Sequence, residues 1–262
     1  MAKDRAIEDK LKEMEKRVIC GLLASIGALM TACMGDGSNS INYHRVGVIR
    51  ENPMRCIYTT DDKGNIYVVS SADFEQRTEL KDGDCCEVDF KTNFKDELAS
   101  GVYDADIFNY DSVAVWPMRQ TLTDTSKTLV KERVVSLNIA KSIYLEGRFF
   151  LQTQHAIHQA DQKDIFDLSY NPEQKVEVDE DGNRIYNLYL RVSQEGGTGD
   201  SISWIKTTAF TIDDFLDKAK ATESAEGKNT VNIKINYVTG FNEDSTACEW
   251  GATEMFTLRV TN

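Results

Sequence analysis

Apolar and polar residues alternate at every second position along much of this chain, and this pattern restricts the possible folds more than any other feature. The alternation is clear in residues 185–192 and again in residues 231–237. A period of two places successive side chains on opposite faces of a β-strand, with one face buried. Turn-forming residues separate the alternating runs. The sequence therefore predicts an all-β protein.

The first group of predicted strands lies within residues 41–118. The alternating runs are Tyr43–Ile49, Met54–Thr60, Asn65–Ser70, Cys85–Lys91 and Asp106–Trp116. In the fourth run, the two faces are expected to carry Cys86, Val88 and Phe90 and, opposite them, Cys85, Glu87, Asp89 and Lys91. Glycine stands where tight turns need a positive φ angle, in Asp61-Asp62-Lys63-Gly64 and Lys81-Asp82-Gly83-Asp84. Five short strands in about 75 residues predict a small N-terminal OB-like barrel.

The second group predicts a C-terminal β-sandwich with one short helix in residues 132–262. One face of a long strand or bent pair is expected to carry Ile143, Leu145, Phe149, Leu151 and Ile157. Thr211 can cap a helix with Asp214 three residues on, and Gly227 can end it. The predicted apolar stripe of this helix is Ile212, Phe215, Leu216 and Ala219. The threonine-rich residues 119–131 are predicted to be a linker between the domains, and a structured crossover is the alternative.

An export signal precedes these domains. A basic start at Met14-Glu15-Lys16-Arg17 is followed by the apolar run Val18–Ala32 and then by Cys33. A mature transmembrane helix needs about 20 apolar residues, and this run is shorter. Residues 1–32 are therefore predicted to be a signal peptide, and residues 1–13 precede a better start at Met14.

The end of this signal predicts a lipid anchor. Thr31-Ala32-Cys33 resembles the end of a bacterial lipoprotein signal, with Met30 where leucine is usual. We expect acylation of Cys33, for example with palmitate, and a flexible tether of residues 33–40. The alternatives are an ordinary secretory signal and an uncleaved anchor. The tether lacks the acidic run that marks surface export in lipoproteins of Bacteroides-type bacteria, which favours a periplasmic face in the cell envelope.

The balance of charge limits the partners. Removing residues 1–33 takes away six of the 30 basic and five of the 43 acidic residues, which leaves a net charge of −14. A negative field repels nucleic acid and anionic membrane surfaces, so neither is expected as a partner. Contact with the membrane is expected through the lipid on Cys33.

No residue set predicts a catalytic site, a metal site or a cofactor. The histidines are His44, His155 and His158. The last two are three residues apart, so in a strand they point to opposite faces and cannot share a metal ion. Asp179-Glu180-Asp181-Gly182-Asn183 resembles the start of a calcium loop, but Leu190 stands where the distant glutamate is required, and a hairpin turn explains the segment.

Three further features have both a binding and a structural interpretation. Ser193–Ser201 is rich in glycine but lacks the lysine of phosphate loops, so a long flexible connection is expected. The tryptophans that could stack on sugars, but are more often buried in β domains, are Trp116, Trp204 and Trp250. The cysteines left after lipidation are Cys56, Cys85, Cys86 and Cys248. Free thiols are expected, and a Cys56–Cys86 bond is the alternative.

Four segments carry a resemblance to a known family. They are residues 62–67 and 80–84 in the barrel and residues 144–151 and 187–191 in the sandwich. With the lipoprotein signal, they resemble the NigD-like lipoproteins of Bacteroides-type bacteria. The resemblance implies no catalytic activity and no catalytic residues, and the family name is linked to bacteriocin operons. We expect a non-enzymatic binding or accessory module with a protein, peptide or glycan ligand. The alternatives are an immunity-type protein against a peptide toxin and a glycan-handling lipoprotein.

Overall fold

In the computed structural model, strands make up most of the regular structure of the described residues, which are 41–52, 54–60, 65–99, 101–121, 123–160 and 162–259. Five strands form a closed barrel: β1 (Ile41–Arg50), β2 (Cys56–Thr60), β3 (Ile66–Ser70), β4 (Cys85–Ala99) and β5 (Val102–Val113). Their order is β1-β2-β3-β5-β4, with β4 pairing back to β1. The short helix α1 (Ala72–Glu75) joins β3 to β4. The predicted OB-like barrel is thus confirmed.

The barrel core comes from the alternation seen in the sequence. Cys86, Val88 and Phe90 are buried together inside the barrel, as predicted, whereas Cys85 points to the opposite face. Gly47 in β1 permits a close approach, since a Cβ atom there would lie 2.4 Å from Cγ2 of Ile57. The predicted turn at residues 81–84 is present, with φ of +82° at the glycine, and the predicted turn at residues 61–64 lies outside the described residues.

The second part of the chain forms two sheets that pack face to face. The first sheet contains β10 (Lys163–Ser169), β11 (Glu177–Val178), β12 (Arg184–Glu195), β14 (Thr230–Phe241), β15 (Cys248–Ala252) and β16 (Phe256–Arg259). The second contains β6 (Val115–Pro117), β7 (Val135–Leu137), β8 (Ile143–Leu145), β9 (Arg148–Ala160) and β13 (Thr198–Thr211). Helix α2 (Asp213–Ala225) leads into β14. The predicted sandwich with one short helix is confirmed.

The helix differs from prediction at its start. Its N-cap is Ile212, which makes no side-chain cap hydrogen bond, so the predicted cap at Thr211 is wrong. The reason is that Thr211 is still the last residue of β13 and pairs with Arg148. The predicted stripe is correct, because all four of its residues are buried. Gly227, with φ of +74°, follows the helix as predicted.

Two further expectations about the sandwich are wrong. Ser193–Ser201 is not a long connection, because β12 and β13 extend into it and leave only Gly196 and Gly197, both at positive φ. These two glycines pass the chain from one sheet to the other. In the hairpin of β8 and β9, Ile143 pairs with Phe150, so it does not share a face with Phe149. Leu145 and Phe150 point to the barrel, and Phe149 points into the sandwich core.

Barrel and sandwich are joined through a small apolar cluster. Its buried members are Val48, Cys85, Val113, Leu145, Phe150 and Ala209. The amide of Ala209 donates to the carbonyl of Ala114 at 3.0 Å, and Arg50 forms an ion pair with Glu146 at 3.3 Å. Residues 41–262 accordingly form one compact unit.

The segment predicted to be a linker lies along the sandwich. Strand β6 pairs with β13 of the second sheet, with Trp116 opposite Phe210. The Arg119 amide donates to the carbonyl of Leu168 at 2.8 Å, and Trp250 Nε1 donates to the carbonyl of Thr125 at 3.1 Å. The domain limits at 118 and 132 stay a prediction. Among the described residues, no helix combines the length and apolar character required to cross a bilayer.

Candidate functional site

A cleft of about 620 Å³ lies where the barrel meets the sandwich, and we call it the junction cleft. The barrel contributes His44, Arg45, Val46, Thr60, Asn65 and Glu87. The second sheet and the turn before β8 contribute Ala140, Lys141, Ser142, Ile143, Tyr144, Gln152 and Thr207. Strand β16 closes one side with Phe256, Thr257, Leu258 and Arg259.

A single 3-10 turn positions the sandwich side of the cleft. The turn spans Ile139–Lys141, and the Ser142 amide donates to the carbonyl of Ile139 at 2.9 Å. Tyr144 is anchored by donating its hydroxyl to Asp213 Oδ1 at 3.1 Å. Burial, together with the negative charge of Asp213, raises the pKa of Tyr144 well above its ordinary value. Tyr144 is therefore a fixed neutral hydroxyl at neutral pH.

Two hydroxyl groups of the cleft lack partners. Ser142 and Thr60 are 6% and 3% exposed, and neither side-chain oxygen has a hydrogen-bond partner among the described residues. Most buried polar groups of folded proteins are hydrogen-bonded, so two unpaired hydroxyls at one cleft are unusual. By contrast, Thr207 Oγ1 donates to Glu87 Oε1 at 2.6 Å across the junction.

Among the described residues that line the cleft, cationic side chains outnumber anionic ones, although the whole chain has a net charge of −13. The cationic side chains of this described lining are those of Arg45, Lys141 and Arg259, and its one carboxylate is that of Glu87. Neither Lys141 nor Arg259 forms an ion pair within the described part of the chain. His44 Nδ1 lies 2.6 Å from Asp89 Oδ1 at the outer edge.

The structure separates the histidines that the sequence singled out. His155 and His158 both lie on β9, as expected for a strand. The side chain of His155 is fully buried, with Nε2 3.4 Å from Asp164 Oδ2, and His158 Nε2 lies 3.4 Å from Nη2 of Arg133. No group of three or more side chains able to ligate a metal occurs in the described ranges.

The other candidate residues have structural roles or lie outside the description. Asp179 Oδ1 accepts hydrogen bonds from the amides of Asp181 and Asn183 at 3.0 and 2.7 Å, which makes this segment a hairpin turn. Trp204 is 52% exposed, while Trp116 packs against the sandwich core. The four cysteines of the described residues are free thiols in this structure: Cys56, Cys85, Cys86 and Cys248. Cys33 lies outside the described residues.

Sequence reasoning did not find the junction cleft. Its residues come from three distant stretches, 44–87, 140–152 and 256–259, together with Thr207. Each is ordinary in its local sequence: Ser142 follows a short turn, and Lys141 and Arg259 resemble any surface cation. Only the pairing of strands brings them together, so no local signal could have identified them.

Comparison with known proteins relates the fold to proteins of Bacteroides and Parabacteroides. No family model and no curated protein match the sequence. An uncharacterised protein from Parabacteroides merdae is similar at 23% identity and a TM-score of 0.72, over 84% of this chain and 100% of that chain. A putative lipoprotein from Bacteroides fragilis is similar at 11% identity and a TM-score of 0.55, over 84% of this chain and 99% of that chain.

A third solved structure bears the name of the family that the sequence resembles. It is a NigD-like immunity protein from Bacteroides caccae, with 14% identity and a TM-score of 0.48, over 84% of this chain and 97% of that chain. At these identities, likeness establishes a shared fold, and the two structures above 0.5 carry that conclusion. The fold shared with a putative lipoprotein of Bacteroides fragilis agrees with the lipoprotein resemblance predicted from the sequence.

Proposed function

We propose that this protein is a lipid-anchored, non-catalytic binding module of the cell envelope whose ligand occupies the junction cleft. The observation that carries the proposal is made within the described residues of one cleft: the buried hydroxyls of Ser142 and Thr60 have no hydrogen-bond partner, and Lys141 and Arg259 form no ion pair. Binding sites are typically concave and have a few convergent polar groups. The cleft also has rigid walls, because the apolar cluster around Phe150 fixes the barrel against the sandwich.

The chemistry of the cleft supports binding over catalysis. A nucleophilic serine or threonine needs a base within hydrogen-bond reach. Neither Ser142 nor Thr60 has such a partner among the described residues. His44, the histidine of the cleft, is bound to Asp89 at the outer edge. This arrangement suits a site that holds a ligand through hydrogen bonds.

The alternative functions make different demands on the cleft. A cationic peptide toxin would require an acidic surface, but the described lining of the junction cleft has three cations against the carboxylate of Glu87. A glycan would be served by the hydroxyl groups of the cleft and by the exposed parts of Tyr144 and Phe256, two lining residues that also pack against the sandwich core. The polar, sugar-sized class of ligand is therefore favoured over a cationic peptide.

The binding site can be tested by blocking its mouth. Ala140 is exposed and lines the cleft, so Ala140→Trp places a large ring at the entrance. The full-length protein, purified from its own membranes, is expected to carry a small ligand that native mass spectrometry detects. Ala140→Trp should remove this ligand. Ala221→Trp, on the exposed face of α2, is the matched control and should retain it. Equal ligand content in both variants would contradict the proposal.

The lipid anchor is a separate part of the proposal. Its support is the signal that ends at Cys33 and the shared fold with a putative lipoprotein of Bacteroides fragilis. Cys33→Ser should abolish labelling with radioactive palmitate and shift the protein from the membrane to the soluble fraction. Cys20→Ser, inside the apolar run, should leave both unchanged. Continued labelling of the Cys33→Ser variant would rule out this residue as the anchor.

A further inference from the structure

We infer that the junction cleft recognises a small, hydroxylated anion that carries a phosphate or carboxylate group, as a sugar phosphate or a uronic acid does. The inference rests on the proposed function and adds the chemical class of the ligand. The groups assigned to the anion are Lys141, Ser142 and Arg259. The groups assigned to the rest of the ligand are Glu87 and the apolar wall of β16.

The first step is the location of the cations. Lys141 and Arg259 line the same cleft and form no ion pair within the described ranges. Other exposed lysines, such as Lys163 and Lys175, also form none, so it is their shared position at one concave surface that distinguishes Lys141 and Arg259. Ammonium and guanidinium groups are the usual partners of phosphate and carboxylate oxygens. Two cations left unpaired beside one concave surface favour an anionic ligand.

The second step is the unpaired hydroxyls. A buried polar group without a hydrogen bond destabilises the folded state. Ser142 directly follows Lys141 in the lining of the cleft, and its buried hydroxyl can donate to a ligand oxygen when its side chain turns towards the cleft. Thr60 Oγ1 stands unpaired on the barrel side. A ligand rich in oxygen atoms would satisfy both hydroxyls, whereas an apolar ligand would leave them unpaired.

The third step places the neutral part of the ligand. The negative charge of the Glu87 carboxylate repels a second anionic group on the barrel wall. This carboxylate is fixed in place because it accepts a hydrogen bond from Thr207 Oγ1 at 2.6 Å. It can accept hydrogen bonds from ligand hydroxyls instead. Phe256 and Leu258 line the β16 side and also pack against the sandwich core, so the parts of them that stay exposed form the apolar wall of the cleft. One anionic group on a hydroxylated ring fits these walls.

The test compares probes that differ only in charge. Calorimetric titration of the full-length protein in detergent should show binding of glucose 6-phosphate or glucuronate, and glucose should bind at least about tenfold more weakly. Lys141→Gln and Arg259→Gln should each weaken anion binding about fivefold, because exposed charges contribute modestly. The matched control is Lys175→Gln, an exposed lysine in the turn before β11, which should change nothing.

A second pair of probes separates the sources of the anion. Short-chain dihexanoyl phosphatidylglycerol is compared with dihexanoyl phosphatidylcholine, which has no net charge. Tighter binding of phosphatidylglycerol than of glucose 6-phosphate would assign the anion to a lipid headgroup, and the reverse would assign it to a soluble sugar. Ser142→Ala should weaken the binding of the preferred anion. It should not lower the melting temperature, because it removes a hydroxyl that has no hydrogen-bond partner among the described residues of the folded protein.

Three results would overturn the inference. They are equal affinity for glucose and glucose 6-phosphate, unchanged anion affinity in Lys141→Gln and Arg259→Gln, and no binding of any anionic probe at about 10 mM. None of these would by itself contradict the proposed function. That proposal fails only if Ala140→Trp retains the native ligand as Ala221→Trp does.

Discussion

Arg191 and Glu132 form a buried ion pair that binds the segment after the barrel to the sandwich. Arg191 Nε lies 2.6 Å from Glu132 Oε1, and Nη2 lies 2.7 Å from Oε2, with the side chains 3% and 1% exposed. Arg191 also donates to the carbonyls of Asp124 and Lys127, both at 2.6 Å. One side chain of β12 therefore holds both ends of residues 124–132.

Glu132→Gln should destabilise the protein by about 3–5 kcal/mol, because it leaves the guanidinium of Arg191 buried without a compensating charge. Urea denaturation followed by tryptophan fluorescence measures the loss. Glu254→Gln, at an exposed residue, is the matched control and should stay within about 0.5 kcal/mol. Replacing both partners with apolar residues should recover part of the loss, whereas a loss equal to that of the control would show that the pair adds nothing.

Asp164 should make stability depend on acid pH. Burial alone raises the pKa of its carboxyl, but hydrogen bonds from His155, Lys206 and Gln162 outweigh it and hold the pKa below the ordinary value. A carboxyl group whose pKa is lower in the folded state than in the unfolded state stabilises the fold. This stabilisation is complete above the unfolded-state pKa of about 3.9 and is lost as the pH falls below that value. Asp164→Asn should lower the free energy of unfolding at pH 7 by about 1–3 kcal/mol. Below about pH 4, the free energy of unfolding of this variant should fall less steeply with decreasing pH than that of the wild type.

Urea titrations at pH 7, 4 and 3 test this expectation. Glu132 also has a pKa below its ordinary value, so the wild type and the Asp164→Asn variant both lose stability in acid. The contribution of Asp164 is therefore the difference between their free energies of unfolding at each pH. The Asp200→Asn variant, at an exposed residue, is the control for replacing an aspartate, and its stability at pH 7 should stay within about 0.5 kcal/mol of the wild type. An identical difference at all three pH values for Asp164→Asn would contradict the assigned shift.

Sequence periodicity predicted the fold class because strand alternation is a local property. The alternation of Cys86, Val88 and Phe90 with Cys85 and Glu87 gave the correct faces of β4. The stripe along α2 was equally local. The face of the β8–β9 hairpin was predicted wrongly because the turn at residues 146–147 shifts the period, and nothing local shows which sheet covers each side.

The junction cleft could not be predicted because its residues are distant from one another in the sequence. Lys141 and Arg259 are 118 positions apart, and their association depends on β16 pairing with β14 beside the barrel. Neighbouring residues do not report a missing hydrogen bond such as that of Ser142. Sites formed between domains are therefore the part of this protein that the sequence alone conceals.

The cysteines of the described residues should be unreactive in the folded protein. Burial raises the pKa of Cys56 and Cys85 to about 11 and that of Cys86 to about 12. For Cys248, burial and the adjacent Glu132 carboxylate raise the pKa to about 11. Since the thiolate is the reactive form, alkylation at pH 8 should be slow for all four.

Iodoacetamide labelling followed by peptide mapping measures how fast each of these four cysteines reacts. Cys248 is only partly buried and should be modified first, whereas the three barrel cysteines should react only in concentrated guanidinium chloride. Rapid labelling of Cys86 in the native protein, or a Cys56–Cys86 disulfide in a non-reducing map, would contradict the buried free thiols.

Residues 115–131 should be required for the sandwich to fold. Strand β6 adds an edge to the second sheet, the carbonyl of Arg119 accepts from the Tyr170 amide at 2.9 Å, and the carbonyl of Thr125 accepts from Trp250. A fragment that begins at Glu132 lacks all of these contacts and leaves the carbonyl partners of Arg191 missing. We expect the fragment 115–262 to melt cooperatively and the fragment 132–262 to melt at a lower temperature or without a cooperative transition.

Both fragments expose the same junction surface around Phe150, because neither contains the barrel. Their difference therefore isolates the contribution of residues 115–131. Calorimetry gives the transition, and near-ultraviolet circular dichroism reports whether the aromatic side chains of each fragment keep a fixed environment. If the fragment 132–262 melts at the same temperature as the longer one, residues 119–131 act as the simple linker that their threonine-rich sequence predicts, and the ion pair of Glu132 with Arg191 forms without the rest of that segment.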